Sequence, residues 1–349
     1  MSRAMNSTAL SRRRFGLGVA GAAASGAFPA PGILRAQSLT RIRITQPADS
    51  LSYMAIYVAR ARGYFEENGL DVEVVITRGD GPDVQALMAR EVEFVATPPH
   101  HLYTLHLQNR NLLGICGVLG RCGINLVIAK AAAEERGVSE DSSIEDKLAA
   151  LRGLTIGASA PGALTYNIAE YYFLRAGLTP QQDANVVASG TGPAAIAATQ
   201  NNIVNAYAFS SPLTDQMVSM GVADWLINNT RGQDPVLDEF LHAVIYARPD
   251  YLEANEDIAR RTVASIVRAS GWIRAQPVDE VGASIRSFFA GLDEEVYLSA
   301  VGNVREAIIA DGRMTPAGSD AYQDVLLRTG HLREAVPFDA VFTNDYLPS

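Results

Sequence analysis

Apolar β-branched runs alternate along this chain with stretches whose apolar residues recur every three or four positions. That alternation is the pattern of an α/β protein with largely parallel sheets. Arg41-Ile42-Arg43-Ile44-Thr45 has period two and predicts a first strand. Asp49, Ser50 and Ser52 offer N-cap side chains, and Met54, Tyr57, Val58 and Ala61 fall at helical spacing, so one helix is expected from Tyr53 to Phe65. Gly69 ends it, and Leu70 to Thr77 reads as the second strand. Further strands are predicted at Asn125 to Ala129, Leu154 to Gly157 and Leu241 to Ala247, and the chain beyond Tyr251 is mostly helical, with breaks at Pro277, Gly291 and Pro316.

A loose internal repeat organises these elements. Gly81-Pro82 starts a helix that leads through Val92-Glu93-Phe94-Val95 to Thr97-Pro98, and Gly192-Pro193 starts one that leads through Val204-Asn205-Ala206-Tyr207 to Ser211-Pro212. A pattern this loose also arises by chance. Taken as a repeat, it puts one copy in each of two lobes and sets the two hydroxyl-proline loops across a cleft, at the carboxyl strand ends where open α/β sheets bind ligands. The expected division is lobe one from residues 39–128 and 242–349 and lobe two from residues 129–241, with separate cores and two chain crossings acting as a hinge.

The first 36 residues differ from the rest. They hold Arg3, Arg12, Arg13, Arg14 and Arg35, no acid, and a Gly- and Ala-rich apolar stretch from Gly16 to Phe28 closed by Pro29 and Pro31. This is the arrangement of a twin-arginine export signal, and the stretch is shorter than the ~20 residues of a membrane span. Residues 1–36 are therefore expected to be removed after Ala36, leaving a soluble periplasmic protein that begins near Gln37 and meets the twin-arginine translocase on its way out. Loss of those five arginines takes the formal charge from −9 to −14, a balance that disfavours nucleic acid and anionic membranes as partners. Cys116 and Cys122 flank a Gly-rich turn, and their spacing fits a hairpin disulfide or two buried thiols equally.

Candidate chemistry concentrates in a few loops. Ser159-Ala160-Pro161-Gly162-Ala163-Leu164-Thr165 is a small-residue turn from strand to helix, able to aim free N–H groups and two hydroxyls at an anion or simply to cap a helix. His100, His101 and His106 lack the i, i+4 spacing of a helical zinc pair, which leaves His100 or His101 as a cleft residue or a solvated helix start. Tyr53, Tyr166 and Tyr207 each fall beside a predicted cleft loop and could form an aromatic wall. Asp80 and Asp83 suit either a cationic ligand group or a helix cap.

The run Tyr53-Met54-Ala55-Ile56-Tyr57-Val58-Ala59-Arg60-Ala61-Arg62-Gly63-Tyr64-Phe65, followed by Gly69-Leu70-Asp71-Val72, resembles the ABC-importer solute-binding family for nitrate, sulfonates, taurine and thiamine-pyrimidine precursors. The likeness extends from Arg41 to Gly221 and, more loosely, through the helical C-terminus. It implies a type II periplasmic-binding fold, a small anionic or heteroaromatic organic ligand, an ABC permease as partner and no cofactor. Carried over by position, the family's cleft residues fall at Ser52, Tyr53, Asp80, Thr97 and His100, and in the second lobe at Ser159, Gly162, Ala163, Thr165, Ser210 and Ser211. Ala89-Arg90 and Asn201-Asn202 stand where many relatives have Ser-Gly, and Pro98-Pro99-His100-His101 is unusual. The alternative is an enzyme, since some relatives make the thiamine pyrimidine with a pyridoxal-phosphate lysine and a cysteine-rich iron-binding segment. Here the lysines are Lys130 and Lys147 alone, in no Gly-rich loop, and two cysteines make no such cluster.

Overall fold

The computed structural model describes residues 39–348; the expected export signal, its Arg12-Arg13 pair and its cleavage point lie outside the described residues. Ten strands form two sheets: β1 (Thr40–Gln46), β2 (Leu70–Ile76), β3 (Phe94–Thr97), β4 (Leu113–Leu119), β5 (Asn125–Ala129), β6 (Thr155–Ala158), β7 (Asn185–Ala188), β8 (Ala206–Phe209), β9 (Ala223–Ile227) and β10 (Ala243–Ala247). The first sheet runs β2-β1-β3-β10-β4 and the second β7-β6-β8-β5-β9. In each, four strands are mutually parallel and one antiparallel strand is inserted at the fourth place. The repeat seen in the sequence is therefore a repeat of topology. Its two helices, Asp80–Met88 and Pro193–Gln200, are each followed by a non-glycine residue in the left-handed region, Arg90 (φ 63°) and Asn202 (φ 55°), at the positions where relatives carry glycine.

Three expectations need correction. Strand β5, assigned to lobe one through Ile128, pairs antiparallel with β8 and β9, so the chain reaches the second sheet before Asn125. An apolar run buried on both faces says nothing of which sheet takes it. The helix expected from Tyr53 to Phe65 is broken in two, Met54–Ala61 and Tyr64–Glu67, because Gly63 between them takes a left-handed conformation (φ 71°). The two cores are not separate. One apolar cluster runs from Val84 and Tyr103 beside the first sheet, through Tyr322 and Leu326, to Ile156, Ile168 and Tyr172 beside the second. The link is the helix Pro316–Arg328, which packs on both His100–His106 and Leu164–Arg175. Its Ser319 bonds Tyr103 at 3.0 Å, and its Asp324 accepts from Tyr171 at 3.0 Å. Residues 38–349 accordingly form one compact unit. Cys116 and Cys122 are free, buried thiols.

The two crossings between sheets are bonded to each other. The Cys122 N–H donates to Leu237 O (3.1 Å), Phe240 N–H to Gly120 O (2.9 Å) and His242 N–H to Leu119 O (3.0 Å). Gly123 N–H closes the set on His242 Nδ1 at 3.1 Å. The His242 ring lies so close over Gly123 that an added Cβ would stand 2.8 Å from its Nε2 and 3.0 Å from a Leu119 methyl. Gly123→Ala should therefore push the ring aside and cost ~1–3 kcal/mol, the usual range for overpacking. Urea unfolding of the variant beside wild type measures it; an unchanged midpoint would mean that the crossing tolerates a methyl group.

Candidate functional site

Six loops, each at the carboxyl end of a parallel strand, converge on one cleft of about 1050 Å³. The loops after β1, β2 and β3 come from the first sheet and those after β6, β7 and β8 from the second, with Ile124 and His242 of the crossings between them. This is where the dipoles and free N–H groups of strand-to-helix turns point in open α/β folds.

Ten of the eleven residues expected in the cleft line it: Ser52, Tyr53, Asp80, His100, Ser159, Gly162, Ala163, Thr165, Ser210 and Ser211. Thr97 does not. It is the last residue of β3, and its side chain is fully buried beneath the cleft floor. Two of the three expected aromatic walls also fail. Tyr207 turns into the sheet packing, where its hydroxyl donates to Gly190 O, and Tyr166 turns its hydroxyl to Val186 O at 3.2 Å. Phe209, two residues along β8 from Tyr207 and at the cleft-facing end of the strand, lines the cleft beside Tyr53.

The floor is a knot of hydroxyls from both sheets. Ser50 Oγ lies 3.1 Å from Ser210 Oγ and 3.2 Å from Ser52 Oγ, and it also donates to Ser211 O at 3.2 Å. On the second-sheet side, Thr165 Oγ1 accepts from Ser159 N–H (3.2 Å) and shares a 2.6 Å bond with Ser159 Oγ. Gly162 (φ 81°) has open space where a side chain would be. The first N–H groups of the helix Leu164–Arg175 have no carbonyl of their own turn to meet, and Ala163 supplies no capping side chain.

Sequence reasoning missed Ser50, Arg78, His101 as a companion to His100, and His242. Only Ser50 gave a signal, as an N-cap. Arg78 sits in the left-handed region (φ 66°), and among the described lining residues it is the sole lysine or arginine. His242 is far in sequence from every motif and arrives by the second crossing. Among the described residues no three His, Cys, Asp or Glu side chains converge as a metal site. Burial lowers the histidine pKa values, His101 to about 4, His242 to about 3 and His100 well below its ordinary range. The rings are neutral at physiological pH. His242, whose Nδ1 accepts from Gly123, then carries its proton on Nε2 as a donor. Burial pushes the carboxyl groups the other way, Asp80 to about 6 and Asp83 to about 7.

The chain belongs to the NMT1-like family, whose profile matches residues 49–285. It is 19% identical to YtlA of Bacillus subtilis (strain 168), provisionally named a binding protein, over 88% of this chain and 89% of that one. Among solved structures, a protein from Bordetella bronchiseptica RB50 superposes with a TM-score of 0.73 at 20% identity, covering 88% of this chain and 96% of that one. The periplasmic aliphatic sulphonate binding protein SsuA from Escherichia coli gives 0.66 at 17% identity, covering 88% and 99%. A desulfurization enzyme, DSZB, shares the arrangement at 0.59 and 17%, covering 88% and 97%. These likenesses show the periplasmic-binding fold that the sequence implied.

The raised carboxyls set a pH prediction. A folded Asp83 that holds its proton to about pH 7 gives stability that is fully present below the unfolded pKa near 4 and is lost as pH rises toward 7. Histidines with lowered pKa act oppositely, costing stability as pH falls below ~6.5. Asp83→Asn, which stays neutral and keeps an oxygen for the Thr77 hydroxyl, should gain over wild type by an amount that grows on the order of 1–4 kcal/mol between about pH 4.5 and pH 8. Chemical denaturation at the two pH values checks it, and an equal difference at both would place Asp83 in its ordinary range.

Proposed function

We propose that this member of the NMT1-like family is an exported solute-binding protein that captures a small organic molecule in the cleft and delivers it to an ABC importer. The observation that carries this reading is the cleft's construction: strand-end loops of two sheets supply its walls, and two paired crossings run beside it. Such a site can hold a solute from both sides and close by bending at the crossings. In this reading the first lobe is the first sheet with its helices and the second lobe the second sheet with its helices, opening and closing at the segments Gly120–Gly123 and Leu237–His242. The named function of SsuA, binding aliphatic sulphonates in the periplasm, fits the same use of the fold.

The solute in this reading carries an anionic or strongly accepting group. A mature chain of charge −14 repels anions at long range, so short-range donors must hold them. The free N–H groups of Gly162, Leu164 and Thr165, the Ser159–Thr165 hydroxyl pair and the Arg78 guanidinium are the donors nearest to hand. Each charge-assisted bond contributes ~1.5–3 kcal/mol, so two or three support micromolar affinity after association costs. Tyr53, Phe209 and the neutral histidines supply flat apolar walls. The desulfurization enzyme is the reason to weigh catalysis. No lysine or cysteine lies among the described lining residues, so the groups that serve pyridoxal phosphate or iron in the pyrimidine-synthesising relatives are not brought to the cleft.

A thermal-shift panel of sulfonates, nitrate, aromatic carboxylates and pyrimidines tests the reading directly. A true solute at ~100 times its Kd should add ~2.7 kcal/mol of stability, and X-ray scattering should show compaction on saturation; a shift without compaction would argue against a closing cleft. For the best solute, Thr165→Val should weaken binding about tenfold, the effect of losing one bond of ~1.4 kcal/mol. Gly162→Pro should do more, since proline cannot adopt the positive φ of this turn. Unchanged calorimetric affinity in both variants would move the anion site elsewhere. For export, sequencing the periplasmic protein should return an N-terminus at or near Gln37, and Arg12→Lys with Arg13→Lys should hold the chain in the cytoplasm; full export of the double variant would exclude the twin-arginine route.

A further inference from the structure

One face of the first sheet carries buried polar atoms without partners. Thr45, Val95 and Tyr246 stand opposite one another across β1, β3 and β10, so their side chains share a face, and Thr97, two residues beyond Val95, joins them. The helix Asp80–Met88 covers this face with Val84 and Leu87. Among the described residues the hydroxyls of Thr45, Thr97 and Tyr246 and the Asp83 Oδ2 make no hydrogen bond, although each of these residues is at most 1% exposed. Native structures leave few such atoms, because an unpartnered buried polar group keeps its desolvation cost. Asp83 Oδ1 accepts from Thr77 at 2.7 Å. Asp80, three residues earlier on the same turn, reaches the cleft with the Thr97 hydroxyl beside it. No cation among the described residues pairs with either carboxyl.

We propose that Asp80 is the acceptor for a nitrogen-borne N–H group of the solute, with Asp83, Thr45, Thr97 and Tyr246 forming the polar shell behind it. This deepens the solute-binding reading and rests on it. It narrows the solute to a molecule with an N–H donor, such as an ammonium, an amidinium or an aminopyrimidine, at one end and an acceptor or anion at the other. The two ends then engage different sheets, the nitrogen at the helix Asp80–Met88 and the anion at the turn before Leu164. A solute that spans both gains contacts only in the closed arrangement, which gives a differential affinity able to drive closure. The carboxyls, pushed up by burial, hold a proton that an incoming cation would displace.

Three matched pairs of probes read this subsite: taurine and ethanesulfonate, 4-amidinobenzoate and benzoate, 4-aminopyrimidine and pyrimidine. Calorimetry with the full mature chain should show the nitrogen-bearing member of at least one pair binding about tenfold tighter or more. Asp80→Asn should close most of that gap while leaving the nitrogen-free member's affinity unchanged, which also reports that the variant's cleft is intact. Equal binding within every pair, or a gap that survives Asp80→Asn, overturns the subsite and leaves the solute-binding reading standing. Binding by none of the six overturns the subsite for these nitrogen classes, and native mass spectrometry of the protein purified from its periplasm then judges the solute-binding reading separately.

Discussion

The bonding of the two crossings to each other is the constraint from which the rest of the structure follows. Four hydrogen bonds tie Leu119–Gly123 to Leu237–His242, and they do so in a buried setting where unmade bonds would be costly. Because the crossings are paired, β5 is delivered into the second sheet and β10 into the first, each as the antiparallel strand at the fourth place. That exchange brings the carboxyl ends of β1, β2 and β3 to the same cleft as those of β6, β7 and β8. His242 does double duty there. Its Nδ1 holds the first crossing and its ring lines the cleft, so the hinge region and the binding wall share a side chain.

The electrostatics of the cleft follow from burial more than from the sequence's charges. The chain is acidic, yet the groups at the bottom of the cleft are held neutral, the histidines by lowered and the aspartates by raised pKa values. A site of neutral donors and acceptors distinguishes solutes by hydrogen-bond pattern, since an unpaired buried group penalises the wrong one. The single guanidinium of the lining, Arg78, stands exposed in the loop after β2, where it meets a solute before the buried groups do.

Much of this was legible in the sequence, and the failures have physical causes. Strand ends and turn residues are local signals, so the loops holding Ser52, Asp80, His100, Ser159 and Ser210 could be placed from spacing and resemblance. Side-chain direction within a strand is set by register, which a short run does not reveal; hence Thr97 and Tyr207, each inside a strand, point away from the cleft, and Phe209 points into it. His242 and the partners of Asp83 come from strands and crossings distant in sequence, and only the assembled topology brings them in. The continuous core was invisible for the same reason, because the apolar face of Pro316–Arg328 reads alike whether it covers one helix or two.

That helix limits how the cleft can move. Tyr322 stacks on Phe240 of the second crossing at 4.8 Å between ring centroids, and its hydroxyl lies 3.4 Å from His100 Nδ1 in the cleft. On the neighbouring turn Asp324 accepts from Tyr171, in the helix whose N-terminus is the Ser159–Thr165 turn. A bend at the crossings therefore displaces Phe240 against Tyr322, and Tyr322 is in contact with a cleft residue of the first sheet while its own helix grips the second. Packed interiors resist continuous deformation, so closure by free rotation about two loose strands does not fit this architecture. It fits a small shear of Pro316–Arg328 over Leu164–Arg175, with the Tyr171–Asp324 bond and the Tyr322–His100 contact as the points where that sliding meets the solute.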